Sequence, residues 1–127
     1  MARALNGPEE LMPLQASWQC DLSDDQLRWS AGVYHLFGLP IGAPVSRDEI
    51  VAMYLPESRA ELDRLRSAAI AGSGSFTFEA QIRRTDGELR WLRLTADVAT
   101  ENGSPRWLYG TKLDVTDEMA ARRPTAT

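Results

Sequence analysis

Between residues 76 and 98 the chain alternates apolar and polar positions with period two. Phe76, Phe78, Ala80 and Ile82 are separated by Thr77, Glu79 and Gln81, and Leu92, Leu94, Ala96 and Val98 by Arg93, Thr95 and Asp97. That period predicts two strands, each with one face toward a core. Asp86-Gly87 lies between them, a hairpin dipeptide because both residues tolerate positive φ. Asn102-Gly103 predicts a second hairpin, into a last strand over about 106–115. Near the start, residues 17–22 alternate as a first strand, Ser23-Asp24-Asp25 reads as a turn, and residues 26–29 as a short second strand.

The segment between these strands has helical spacing. Val33, Leu36 and Phe37 recur at i, i+3, i+4, with Ser30 as N-cap and Gly38 as terminator. Ser46-Arg47-Asp48-Glu49 matches a capping box and predicts a helix near 50–53 that Pro56 stops. Ser58-Arg59-Ala60-Glu61 matches a second and predicts a helix over 59–71 that ends at Gly72. Its buried stripe is Leu62, Leu65 and Ala69, with Arg59, Asp63 and Arg66 toward water. Thr116 caps a last short helix that Pro124 stops, and residues 8–12 read as one helical turn in a polar leader. The order predicts an α+β fold: a five-stranded antiparallel sheet, order 2-1-5-4-3, with short helices on one face. The expected division is a leader over 1–14, the domain over 15–116, and a short C-terminal helix and tail over 117–127.

Composition narrows the functional classes. The 127 residues are 43% hydrophobic and 25% charged, the balance of one globular domain. Fourteen Lys and Arg against 18 Asp and Glu give a net charge of -4, and no basic run stands out, which argues against nucleic acid or an anionic membrane as partner. A single cysteine, Cys20, excludes an internal disulfide and a cysteine-based zinc cluster, and a single histidine, His35, excludes a His-rich metal site. No apolar run approaches the ~20 residues of a membrane span. Asn6, Gly7, Pro8, Glu9 and Glu10 stand where a signal peptide needs its apolar core, so the cytoplasm is the expected compartment.

Seven segments, in order, resemble the PAS domain family. They are Trp18-Gln19-Cys20-Asp21-Leu22, Trp29-Ser30, Leu36-Phe37-Gly38-Leu39-Pro40, Pro56-Glu57, Phe78-Glu79 with Ile82-Arg83-Arg84, Asp86-Gly87 with Arg90-Trp91-Leu92, and the run from Gly110 through Asp114-Val115-Thr116 to Glu118. Together they span about 15–118. The last resembles the family's closing Asp-Ile-Thr signature; Ser58 departs from the acid that often follows Pro-Glu. The resemblance implies a sensory and interaction module rather than an enzyme, some members of which hold haem, flavin or a metabolite between sheet and helices. Haem-binding members carry a histidine on the long helix, and residues 59–71 hold none. Flavin photosensors use a cysteine in an Asn-Cys-Arg-type motif on a central helix, whereas Cys20 lies on the first strand and reads as a small buried hydrophobe. No cofactor is therefore expected, and His35 reads as a surface or half-buried residue.

Three sets of residues remain as candidates. The inner face predicts a pocket drawn from Phe37, Met53, Tyr54, Phe78, Ala80, Leu92, Leu94, Ala96 and Gly110, with Tyr54 as polar handle and the small side chains leaving room. With no charge expected inside, its ligand would be neutral and mostly apolar; the competing reading is a filled core. On the outer face Trp91, Trp107 and Tyr109 share one parity and predict an aromatic patch, covered by the leader residues Leu11, Met12 and Leu14 or by a second copy in a homodimer. The resemblance implies that Asp114 and Thr116 tie the last strand to an output helix that usually leads to a histidine kinase or cyclase. Here that helix is short, so a module without its own output domain is expected, acting on a histidine kinase or another signalling protein. The alternatives are a small isomerase- or dehydratase-type enzyme, for which no inward acid or histidine is apparent, and a ligand-free dimerisation domain.

Overall fold

The structure, a computed structural model, describes residues 16–72 and 74–122. The predicted alternations become strands β1 (Ser17–Asp21), β2 (Gln26–Trp29), β3 (Ser75–Arg83), β4 (Leu89–Glu101) and β5 (Ser104–Asp114). They form one five-stranded antiparallel sheet in the order β2-β1-β5-β4-β3. Asn102 and Gly103, with φ of 53° and 80°, form a two-residue turn between Glu101 and Ser104, whereas Gly87, with φ 89°, closes a longer turn in which its amide donates to the Arg84 carbonyl at 2.9 Å. The leader turn expected over 8–12 lies outside the described residues.

Four helices complete the described chain: α1 (Ala31–Phe37), α2 (Arg47–Val51), α3 (Pro56–Gly72) and α4 (Thr116–Arg122). The cap signals act differently from expectation at two serines. Ser30 stands at the N-cap of α1, but its hydroxyl accepts the Ser17 amide at 2.9 Å and joins β2's end to β1. Pro56 begins α3 rather than stopping α2, because its fixed φ suits a first helical turn and its missing N–H costs nothing there. Ser58 therefore falls inside the helix, and its hydroxyl accepts the Gln81 amide at 2.8 Å, pinning α3 to β3. Ser46 does cap α2, accepting the Glu49 amide at 3.2 Å.

Helices α1 to α3 cover one sheet face. Val33, Phe37, Ile82, Leu92, Leu94 and Tyr54 are essentially inaccessible there and make the centre of the core. The chain between α2 and α3 adds to the edge of β3: Tyr54 forms an antiparallel bridge with Ile82, Leu55 donates to the Gln81 carbonyl, and Arg83 to that of Met53. This bridge fixes the backbone from which Tyr54 enters the core. On the other face, Arg93 binds Glu79 at 2.7 Å and Glu118 of α4 at 2.6 Å, so α4 turns back over the outer side of β4.

Candidate functional site

β5 alternates like its neighbours. Leu108 and Lys112 are buried while Tyr109, Thr111 and Leu113 are exposed, so Lys112 points into the core. Its amide is held by the Ala16 carbonyl at 2.8 Å and its Cα faces Leu94 of β4. The ammonium sits among four rings, with Nζ 4.9 Å from the centre of Phe37, 5.5 Å from Trp18, and 5.6 Å from both Trp29 and Tyr54. This corrects the expectation of an uncharged interior. Ring faces attract a cation and offset part of its desolvation. The remainder is not offset: burial, reinforced by the nearby Arg47 charge, lowers the Lys112 pKa to about 7.

Beside Lys112 lies a cavity of about 50 Å³ between the sheet and helices α2 and α3. Its walls are apolar, from Ile50, Val51, Leu62, Phe76, Leu94 and Leu108. Its polar groups are Lys112, Tyr54, Cys20, Arg47 and Arg66. The Tyr54 hydroxyl is fully buried and has no hydrogen-bond partner among the described residues, and burial pushes its pKa up. Cys20 is buried as expected, its thiol within 3.9 Å of Asp25 Oδ1, and burial raises its pKa too. Arg47, the first residue of α2, and Arg66, on the sheet side of α3, form the rim. Arg66 was expected to face water, but its guanidinium is only 19% exposed and binds Asp25 in the β1–β2 turn at 3.0 Å.

The cavity takes only part of the predicted set. Tyr54 and Leu94 line it. Phe37, Ala80, Leu92 and Ala96 are packed in the core, where the alanines let larger neighbours close in and leave no room. Phe78 lies against Phe76, ring centres 6.1 Å apart, and Met53 borders an open groove with Arg59 and Arg83. Gly110 makes no space either. A Cβ there would stand 1.9 Å from the Thr95 carbonyl oxygen, so glycine permits close approach of β5 to β4.

The outer face is also corrected. Trp91, Trp107 and Tyr109 share it, but Trp91 pairs with Gln81 whereas Trp107 pairs with Ala99, eight residues farther along β4. At about 3.3 Å per residue the two indoles stand at opposite ends of the sheet. Polar pairs lie between them: Thr95 with Thr111 at 2.8 Å and Arg93 with Glu79. Trp107 is covered by the Arg106 guanidinium 4.8 Å from its ring centre, and Arg106 in turn binds Asp21 at 3.1 Å, holding that carboxyl well below the usual range. Tyr109 and Leu113 are the exposed apolar groups of β5. Leu11, Met12 and Leu14 lie outside the described residues.

At the end of β5, Asp114 binds Arg90 at 3.1 Å and accepts the Thr116 amide at 2.9 Å, while Thr116 Oγ1 accepts the Trp91 amide at 2.9 Å. The start of α4 is thereby fastened to β4. Among the described residues no group of three His, Cys, Asp or Glu side chains could hold a metal ion, and no helix is long and apolar enough to cross a membrane.

A five-stranded antiparallel sheet with helices on one face and a small cavity between them defines the α+β fold. The model of the PAS fold family matches residues 26–112, and the chain belongs to that family. It is 29% identical over 109 residues to a blue-light-activated histidine kinase of Brucella anthropi, covering 86% of this chain but 22% of that protein. The structure resembles a sensory box histidine kinase/response regulator from Burkholderia thailandensis (TM-score 0.77, 18% identity, 91% of this chain and 88% of that one). It also resembles the N-terminal domain of a diguanylate cyclase with PAS/PAC sensor from Marinobacter aquaeolei (TM-score 0.75, 17% identity, 83% and 98%). The protein is a PAS sensory module. Cys20 lies on β1 and not on a central helix, and the cavity of about 50 Å³ is smaller than the ~300 Å³ or more of sites for ligands of flavin size.

Proposed function

We propose that this module senses a small molecule in its core cavity and passes the result along β5 to a neighbouring polypeptide. One observation supports the reading most: the interior chamber holds Lys112 and the unpartnered Tyr54 hydroxyl. Polar groups buried without partners cost free energy, and a bound molecule supplies the missing partner. The route outward is short, since Lys112, Asp114 and Thr116 follow one another on the chain and the last two fix α4. The reading is binding rather than catalysis: neither carboxylate nor histidine lines the cavity, and Lys112 and Tyr54 serve in it as donors to the bound molecule. The partner is a signalling protein of the histidine-kinase kind, met in the cytoplasm.

The test is thermal unfolding of the purified chain with a panel of small metabolites of both charges and none. A ligand that binds only the folded form raises the midpoint. At least one compound is expected to do so at millimolar concentration, and the protein should show no flavin absorption band. If nothing raises the midpoint, sensing is excluded and a ligand-free pairing domain remains. Homodimerisation through the outer face has its own support in Tyr109 and Leu113, 43% and 37% exposed. Light scattering should then find a dimer that Tyr109→Glu converts to monomer; a wild-type monomer at high micromolar concentration excludes it.

A further inference from the structure

The charges around the cavity are one-sided. Arg47, Arg66 and Lys112 border it, and no aspartate or glutamate does. The two arginines have partners on the solvent side: Asp25 binds Arg66 at 3.0 Å, and Asp63 approaches Arg47 at 3.8 Å, with both carboxylates at least half exposed. Lys112 has no acid beside it. The groups that face it are Arg47 from α2, Cys20 from β1 and Tyr54 at the bridge to β3, of which Arg47 repels it. A potential of that sign, inside apolar walls, selects against cations and gives neutral molecules no charge partner.

Resting on the reading of the cavity as a ligand site, we propose that its ligand is a small organic monoanion, a carboxylate with a compact aliphatic body. Lys112 Nζ and Tyr54 Oη donate to the carboxylate, and the body lies against Leu94, Leu108 and Phe76. Three features select this class. Lys112 and Tyr54 line the same cavity, and the Tyr54 hydroxyl has no partner among the described residues, so both have a donor to offer one carboxylate. One water needs roughly 10–15 Å³ of such space, so about 50 Å³ holds a body of only a few heavy atoms. Lys112 is the one buried charged residue of the described core, so a single negative charge neutralises it, and a dianion leaves one charge stranded. Binding also draws a proton onto Lys112, because the anion favours the ammonium. Cys20 and Tyr54 remain neutral at pH 8, their pKa values being raised.

Isothermal titration of the whole chain at pH 8, in two buffers of different ionisation enthalpy, tests this with isobutyrate and its neutral isostere isobutyramide. Isobutyrate is expected to bind at least about tenfold more tightly, with net proton uptake. Lys112→Met should weaken it ~10–100-fold, the usual value of a charged hydrogen bond, and abolish the uptake. Tyr54→Phe should weaken it several-fold; its hydroxyl has no partner to lose, so the fold is preserved. Equal affinity for acid and amide, or undiminished binding and uptake in Lys112→Met, overturns the proposal. Amide binding without acid binding overturns it while leaving the sensing role intact. If the wider panel also binds nowhere, both fall.

Discussion

Lys112→Met is expected to stabilise the empty protein by about 3–5 kcal/mol at pH 7, although it removes a charged residue from a buried position of β5. Methionine keeps the length and apolar stem, so no large cavity opens, and it fills irregular space well. What disappears is the cost of an ammonium without a carboxylate partner. The sign follows from linkage. In the unfolded chain the lysine titrates near 10.5, and in the fold near about 7. Below the folded value both states hold the proton and the full penalty applies. Between the two values the unfolded chain holds more protons, so wild-type stability rises with pH, by at most about 1.4 kcal/mol per unit. Above the unfolded value the penalty is gone. Urea unfolding of both proteins from pH 6 to pH 9 should show the gap narrowing as pH rises. A methionine variant no more stable than wild type at pH 6 would mean that the ammonium is fully compensated.

Gly110→Ala is expected to cost at least about 3 kcal/mol, more than ordinary overpacking. The added Cβ would stand 1.9 Å from the Thr95 carbonyl oxygen and 2.6 Å from its carbon. Both are backbone atoms of the adjoining strand and cannot rotate away. The site is already special: the Thr111 amide goes to the Thr95 side-chain hydroxyl at 2.9 Å, between the regular pairs Leu94–Lys112 and Asp97–Tyr109. Gly72→Ala serves as control, since nothing lies within 4 Å of a Cβ there. Denaturant midpoints of the two variants measure the contrast. Equal midpoints would show that β4 and β5 are not closely apposed at this point.

The strands were legible because their alternation is unbroken and Asp86-Gly87 and Asn102-Gly103 mark where they turn. The site was less legible, and each miss has a physical cause. The parity that places Gly110 inward also places Lys112 inward. Residue type points the other way, since lysine is rarely buried without a partner. The expectation of a neutral ligand rests on an interior without Lys112, and parity alone is enough to remove it. Gly110 shows the opposite problem: a missing side chain signals either empty space or a close neighbour, and only the register across to Thr95 decides which. Parity likewise put Trp91 and Trp107 on one face but carries no information about their separation along it. The Ser58 capping box was a true pattern at a false helix start, because Pro56 begins α3 earlier. Arg66 shares a stripe with Arg59 and Asp63 by spacing, yet Asp25 in the β1–β2 turn draws it to the cavity rim. That contact spans 41 residues and has no local signal.

The central feature of the molecule is a cavity built around a lysine buried without an acid. The most direct measurement is an NMR pH titration of the Lys112 side chain in the folded, ligand-free chain, following its ε-carbon. The expected midpoint is about 7, moved upward when a carboxylate binds. A midpoint near the ordinary lysine value of about 10.4 would contradict it.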